Sequence, residues 1–360
     1  MTYKFLIYIS HSYAIPIGIP LEKEILSRND IVKWFSDHEE GHRKLQQKEN
    51  VLHTIQDVID YKPHIVLTAT NNVADFITGL KVQIFHGFNA QKRPSKKDKF
   101  SHFRIRGFFD LYCTQGPSTT TFFKEQAIKN PHFKVIETGW SKVDPLFPIS
   151  KNEKNKIPHI LIATTFTKRL SLAYKTEVLE EISRLSKTKK YHFMMVSHPK
   201  INPDTISKWK ALECENFVYY DTTNLIPLFQ KADIMFADTT SAIQEFVLQK
   251  KPVVAFQNNL QYSYLINVNT VSEIEKSFNY ALQQPKDILD NIKSFILKLH
   301  PYFDGKSSKR IVDNSISFLH EDKSDLKNKP INLIRKYKVR KQLDFFTLKS
   351  YNKPYTIKRD

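Results

Sequence analysis

The stretch DIMFADTTSAIQEFVLQKKPVVAF, residues 233–256, decides the fold. An apolar run ends at Asp238, and Thr239, Thr240 and Ser241 then open a stretch with apolar residues at helical spacing. A second β-rich run, PVVAF, follows Lys250 and Lys251. Strand, helix, strand over so short a span predicts two parallel strands joined by a crossover helix, since parallel neighbours cannot be joined by a tight turn.

The same rhythm extends in both directions. Upstream, strands are predicted at 4–10, 31–35, 64–69, 82–86, 111–114 and 134–139, with helical patterns in NVLHTIQDVIDY and STTTFFKEQAIK between them. FPISKNEKNKIPH, residues 147–159, interrupts this with charge, Asn and Pro and reads as a linker. Strands resume at 159–165, 192–198, 217–221, 233–238 and 252–256, and helices are predicted in YKTEVLEEISRLSK, TSAIQEFVLQK, VSEIEKSFNYALQQ and LDNIKSFILKLH. The fold class is therefore α/β, two Rossmann-like domains expected to face each other across a cleft. The expected boundaries are 1–148 for an acceptor-side domain, 149–158 for the linker, 159–322 for a nucleotide-donor domain and 323–360 for a basic, aromatic tail.

Composition narrows the functional classes. With 360 residues, 41% hydrophobic and 12% aromatic, there is material for two packed cores. The two cysteines, Cys113 and Cys214, form no disulfide framework and no zinc-ligand spacing, which fits a reducing, cytoplasmic setting. The apolar N-terminus has two prolines and no cleavage-site pattern and reads as a strand and loop rather than a leader. No run approaches the ~20 apolar residues of a membrane span.

A net charge of +18 predicts an anionic partner, and residues 323–360 carry half of it, with 12 Lys or Arg against 3 Asp. There Arg335, Lys336, Lys338, Arg340 and Lys341 alternate with Leu, Tyr and Phe. This composition suits the surface of an anionic bilayer; single-stranded nucleic acid and a tail docked on the protein are the other readings. A membrane surface is preferred because apolar residues are too frequent for a purely electrostatic arm, and no specific nucleic acid is expected.

Eight glycines provide neither GxGxxG nor GxxxxGK[ST], and HExxH, GxSxG and any Asp-x-Asp pair are missing. No cofactor and no tightly held metal are expected. In open parallel sheets ligands bind outside the carboxyl ends of the strands. The predicted strand ends carry His86, Gly139, Thr164-Thr165, His198, Asp221 and Asp238. Asp238, Thr239, Thr240 and Ser241 read as a phosphate site at a helix start, with Glu245 one turn on, where it can accept from a ribose hydroxyl. The alternative is an ordinary N-cap. His11, after the first strand, is a weaker candidate for the acceptor side.

The blocks FHGFNAQK (85–92), TGWSKVDPLF (138–147), ILIATTFTKR (160–169), VSHPK (196–200), ADIMFADTTSAIQEFVLQKKPVVAF (232–256) and YFDGKSSKRIVD (302–313) resemble, in order and approximate spacing, the CDP-glycerol glycerophosphotransferases. These are polymer-building enzymes of teichoic-acid-like and capsular glycans. The resemblance spans roughly residues 82–315 and implies the GT-B architecture, with the nucleotide held mainly by the second domain. It implies that His86 is the base for the acceptor hydroxyl and that His198 bonds the donor phosphates or departing nucleotide. It also implies donor contacts at Gly87, Thr165, Asp238, Thr240, Ser241, Lys306 and Ser307, with Lys168 or Arg169 on the pyrophosphate. Phe88-Asn89 stand where the family usually has Thr-Pro, which marks them as a place for a changed substrate.

The expected reaction is metal-independent transfer of a polyol phosphate, glycerol phosphate foremost, from a CDP-activated donor to a hydroxyl of a cell-surface glycan or lipid-linked acceptor, releasing CMP. The enzyme would sit at the inner face of the membrane. Lys92, Arg93, Lys96 and Lys97, in the loop after His86, would guide an anionic acceptor or the membrane toward it. A GT-B glycosyltransferase or nucleotide-sugar epimerase, and a non-enzymatic basic binder, are the competing readings.

Overall fold

The computed structural model describes residues 1–88, 103–149, 155–258 and 261–357. Asn89 and the loop residues Lys92, Arg93, Lys96 and Lys97 lie outside them. The chain forms two compact units, one of Met1–Phe147 with Leu299–Asp360, the other of Pro148–Lys298.

The first unit holds six parallel strands: β1 (Lys4–Ile9), β2 (Ile31–Ser36), β3 (Ile65–Thr68), β4 (Leu80–Gln83), β5 (Leu111–Thr114) and β6 (Lys134–Glu137). Their order is β2-β1-β3-β4-β5-β6. Every residue of β1 after Lys4 is buried, as a strand covered by helices on both faces requires. Helix Ile15–Ser27 packs so tightly on β2 that a Cβ at Gly18 would lie 2.2 Å from the Trp34 ring, so only glycine fits there. Helix Ile55–Tyr61 starts at a capping box made by Thr54 and Asp57.

The second unit repeats the plan with β7 (His159–Ala163), β8 (His192–Val196), β9 (Phe217–Tyr219), β10 (Ile234–Ala237), β11 (Val253–Phe256) and β12 (Ile266–Val268), in the order β12-β11-β10-β7-β8-β9. Its core gathers Ile160, Ile162, Phe193, Met195, Phe236 and Phe256 with Ile182, Trp209 and Phe278 from the covering helices. The crossover between β10 and β11 is shorter than its sequence pattern suggested. An α-helix covers only Ala242–Phe246, and a 3-10 turn follows at Val247–Gln249. Lys250 then adopts a left-handed conformation (φ 60°), and Pro252 disfavours helix at Lys251.

Two expectations about the C-terminal part need correction. Residues 299–322, assigned from sequence to the donor domain, belong to the first unit. The physical link is Asp144, whose carboxylate accepts the backbone N–H groups of Ser307 (2.9 Å) and Ser308 (2.6 Å) and so caps helix Ser307–His320.

Residues 323–357 are also more than a loose basic arm. Lys329 forms a buried ion pair with Asp110 at 2.7 Å, and helix Leu333–Gln342 inserts Val339 into the first unit's core. Lys336 and Arg340, expected to meet a membrane or an acceptor, instead face buried Asp75 at 3.7 and 2.8 Å. A buried carboxylate needs paired cations, and this segment supplies them.

Candidate active site

The topology of each sheet reverses once, between β1 and β3 in the first and between β7 and β10 in the second. The carboxyl ends beside those points are where open α/β sheets hold ligands.

In the first unit, His86 follows β4 and is exposed at this edge. Phe85, just before it, holds φ at 59°, a left-handed conformation that costs a bulky residue strain. Its surroundings enforce the turn. The Phe85 N–H donates to Gln83 Oε1 (3.1 Å), its carbonyl accepts from the Trp140 indole (3.2 Å), and Gln115 donates to the Gly87 carbonyl (2.8 Å). His86 Nδ1 lies 3.2 Å from the Ala69 carbonyl. A carbonyl only accepts, so the proton sits on Nδ1 and the lone pair of neutral His86 is on Nε2. Phe88 is buried against Trp140 (centroids 5.0 Å) and His300 (6.0 Å). The departure from the family pattern at Phe88 therefore fills the core beside Trp140 and His300.

In the second unit, Thr164 and Thr165 follow β7, and a loop exposes Phe166, Lys168 and Arg169. Asp238, at the end of β10, is fully buried. Its two carboxylate oxygens accept the N–H groups of Thr165 (2.8 Å) and Leu172 (3.0 Å), which fixes both ends of the loop. Burial pushes this carboxyl up to about 7, against the lowering effect of the two backbone bonds. Asp238 thus shapes the loop that carries Lys168 and Arg169, where the resemblance implied a donor contact.

His198 follows β8, with Nδ1 accepting the Lys200 backbone N–H at 3.1 Å. That leaves the proton on Nε2, the reverse of His86. Burial and nearby Lys200 hold the His198 pKa below its ordinary value, so the ring is a neutral hydrogen-bond donor near neutral pH. Phe166 packs on it (centroids 4.6 Å), and the Lys200 ammonium lies 5.5 Å from the Phe166 centroid. Nothing in the sequence marks Phe166; its exposure beside a strand-end histidine is visible only in the fold.

The remaining expected donor residues separate. Thr239 and Thr240 are half-buried and Ser241 is exposed at the short helix after β10, whereas Glu245 is buried. Lys306 and Ser307 lie in the first unit: Lys306 is exposed, and Ser307 is buried with its N–H already taken by Asp144. The close approach of Ser307 Oγ, 2.4 Å from any Cβ at position 139, explains Gly139, which also has φ 82°. His11 lies at the end of β1, its Nδ1 3.3 Å from Glu40. Among the described residues no group of three His, Cys, Asp or Glu is placed to hold a metal ion.

A family model described as CDP-Glycerol:Poly(glycerophosphate) glycerophosphotransferase matches residues 81–316. No curated protein matches by sequence. Among solved structures, the wall teichoic acid polymerase TagF superposes with a TM-score of 0.65 at 12% identity, over 88% of this chain and 89% of that one. UDP-GlcNAc 2-epimerase from Neisseria meningitidis, solved with UDP-GlcNAc bound, gives 0.58 at 16% identity, over 87% and 100%. A putative UDP-N-acetylglucosamine 2-epimerase from Listeria monocytogenes gives 0.59 at 15%, over 88% and 96%. At these identities the structural likenesses establish the fold, two Rossmann-like units of the GT-B type.

Proposed function

Because the chain belongs to the CDP-glycerol:poly(glycerophosphate) glycerophosphotransferase family, we propose that it transfers a polyol phosphate, glycerol phosphate foremost, from a CDP-activated donor to a hydroxyl of a glycan or lipid-linked acceptor. His86 Nε2 takes the acceptor proton as the hydroxyl oxygen bonds to the polyol-bearing phosphorus. The bond from that phosphorus to the bridging oxygen breaks, and CMP leaves with the electron pair. His198 Nε2–H donates to the donor phosphates or the leaving CMP, and Lys168 and Arg169 balance charge on the pyrophosphate.

The observation that carries this reading is a histidine after β4 and another after β8 with opposite backbone contacts, His86 Nδ1 beside the Ala69 carbonyl and His198 Nδ1 accepting the Lys200 N–H. A base and a phosphate donor are the two functions the transfer asks of them. Metal independence is part of the proposal and predicts activity in EDTA.

The likeness to epimerase structures favours a nucleotide-sugar reaction as the second reading. Purified protein given CDP-glycerol, CDP-ribitol or nucleotide sugars with acceptor should release CMP, and His86→Asn should abolish that release. Release of UDP or another nucleoside diphosphate instead would sink the phosphotransferase reading.

Association with the inner membrane face is also proposed, through the outer side of helix Leu333–Gln342. That helix buries Lys336 and Val339 and exposes Leu333, Ile334 and Tyr337, the first two by 71% and 74%. Phe346, also exposed, lies beside Tyr337 (centroids 6.1 Å), and Lys338 and Lys341 are exposed on the same helix. Exposed apolar side chains among lysines suit an anionic bilayer. No helix of the described residues is long and apolar enough to cross a membrane.

A further inference from the structure

The turn that carries His86 rests on another histidine. His300 stands where the chain rejoins the first unit, directly after helix Lys286–Leu299, and it is fully buried. Its Nε2 accepts the Trp140 backbone N–H at 3.0 Å, so the proton of the neutral ring is on Nδ1. Three aromatic rings enclose the imidazole: Phe147 is stacked on it at 6.1 Å between centroids, and Phe88 (6.0 Å) and Tyr302 (5.8 Å) meet it edge-on. Gly139 leaves room for the ring, since a Cβ there would lie 3.0 Å from Nε2. Burial, helped by the charge of Arg310, holds the His300 pKa down to about 4, so Nε2 keeps its lone pair near neutral pH.

Trp140 carries this contact to both sides of His86. Its indole N–H donates to the Phe85 carbonyl (3.2 Å), and its ring packs edge-on against Phe88 (centroids 5.0 Å). The Phe85 carbonyl belongs to the planar peptide that joins Phe85 to His86, so holding its oxygen also fixes the direction of the bond into the His86 Cα. Phe85 has φ 59°, a conformation that persists only where its surroundings enforce it. Trp140 is fully buried, and its backbone N–H depends on His300 for an acceptor.

We propose that His300 is a positioning residue for His86: through the backbone N–H and indole of Trp140 it holds the Phe85–His86 peptide, and with it the His86 ring at the Ala69 carbonyl. The effect on turnover rests on the reading of His86 as the base; the effect on the ring does not. His300 serves here as a rigid acceptor inside an aromatic box. Phenylalanine at this position would keep the packing and lose the acceptor, whereas glutamine would offer an amide oxygen in place of Nε2.

The test compares His300→Phe with His300→Gln in the full chain, following CMP release from CDP-glycerol. His300→Phe should lower kcat at least tenfold and leave KM for CDP-glycerol within about twofold, because no donor contact is removed. His300→Gln should keep kcat within about threefold of wild type. Wild-type kcat in His300→Phe, equal losses in the two variants, or a loss confined to KM would overturn the proposal.

A second measurement needs no turnover. In nitrogen NMR spectra of the imidazoles, the His86 signals, assigned by their loss in His86→Asn, should report the Nδ1-protonated ring in wild type and His300→Gln and an average of the two tautomers in His300→Phe. Should His300→Phe fail to fold, Trp140→Phe, which keeps a ring and removes the indole donor, takes its place with the same expected loss of kcat and the same averaging. Unmoved His86 signals overturn the positioning role. Averaged signals in a protein that never releases CMP support it and place the failure in the transfer reading.

Discussion

Replacing Asp238 with Asn separates a donor ligand from a loop anchor. The amide matches the carboxylate in shape but keeps only one acceptor oxygen, while the structure asks for two, at Thr165 N (2.8 Å) and Leu172 N (3.0 Å). One backbone N–H must then face an NH2 group in a fully buried site, and a buried donor left unsatisfied costs about 1–3 kcal/mol. A central value of about 2 kcal/mol lowers Tm by roughly 4–8 °C for a unit of this size. The pH dependence has a definite sign. The folded carboxyl titrates near 7, well above the ~3.9 of an unfolded aspartate, so the folded state holds the proton more tightly. The stability from that linkage is complete below the unfolded value and is lost as pH rises toward 7. Asn has no such titration, so the Tm gap between wild type and variant should be wider at pH 5 than at pH 8. Thermal unfolding at the two pH values, with CDP-glycerol titrations alongside, provides the check. A weakened donor affinity with unchanged Tm would refute the anchor role and restore Asp238 as a direct ligand, whereas a gap that widens as pH rises would refute the raised carboxyl pKa.

Two further outcomes concern the C-terminal segment. Asp75→Asn should destabilise the first unit by about 3–5 kcal/mol, the cost of breaking a buried ion pair, because Arg340 and Lys336 then lose their counter-charge; denaturant unfolding measures it. Burial would raise the Asp75 carboxyl, but the bonds from Arg340 and Ser350 hold it below its usual range, so in wild type this contribution is present above pH ~4 and fades as the pH falls further. Leu333→Ser/Ile334→Ser/Tyr337→Ser should leave Tm within a few degrees and weaken binding to vesicles rich in anionic phospholipid at least tenfold. Equal binding of wild type and variant in vesicle sedimentation would remove the membrane assignment.

The strands were the most legible part of the sequence. Buried parallel strands are continuous apolar runs, and KFLIYI, LYCT and HILIA stand out between polar turns. β12 was not anticipated, because Ile266–Val268 is only three residues with an exposed Asn267 at its centre. The C-terminal assignments failed for a physical reason. Whether helix Ser307–His320 caps on the first or the second unit depends on one long-range contact, Asp144 to Ser307 and Ser308, which local periodicity does not encode. Likewise Lys336 and Arg340 have the same composition as an exposed basic arm; only Asp75, far away in sequence, marks them as buried.

The candidate site was legible as positions and not as roles. His86 and His198 were both placed at strand ends from sequence, yet a sequence presents them as equivalent imidazoles. Their difference comes from two backbone groups, the Ala69 carbonyl at His86 Nδ1 and the Lys200 N–H at His198 Nδ1. Phe85 is left-handed in the turn that leads to His86, whose Nδ1 lies beside the Ala69 carbonyl. The strain at Phe85 is offset by the bonds from Gln83 and Trp140 and by ring contacts to Tyr112 (6.1 Å) and Phe123 (5.1 Å). Phe88 belongs to the same buttress, packed edge-on against Trp140. The aromatic residues around this turn therefore buttress the backbone that carries His86, and the Ala69 carbonyl sets which ring nitrogen faces the protein.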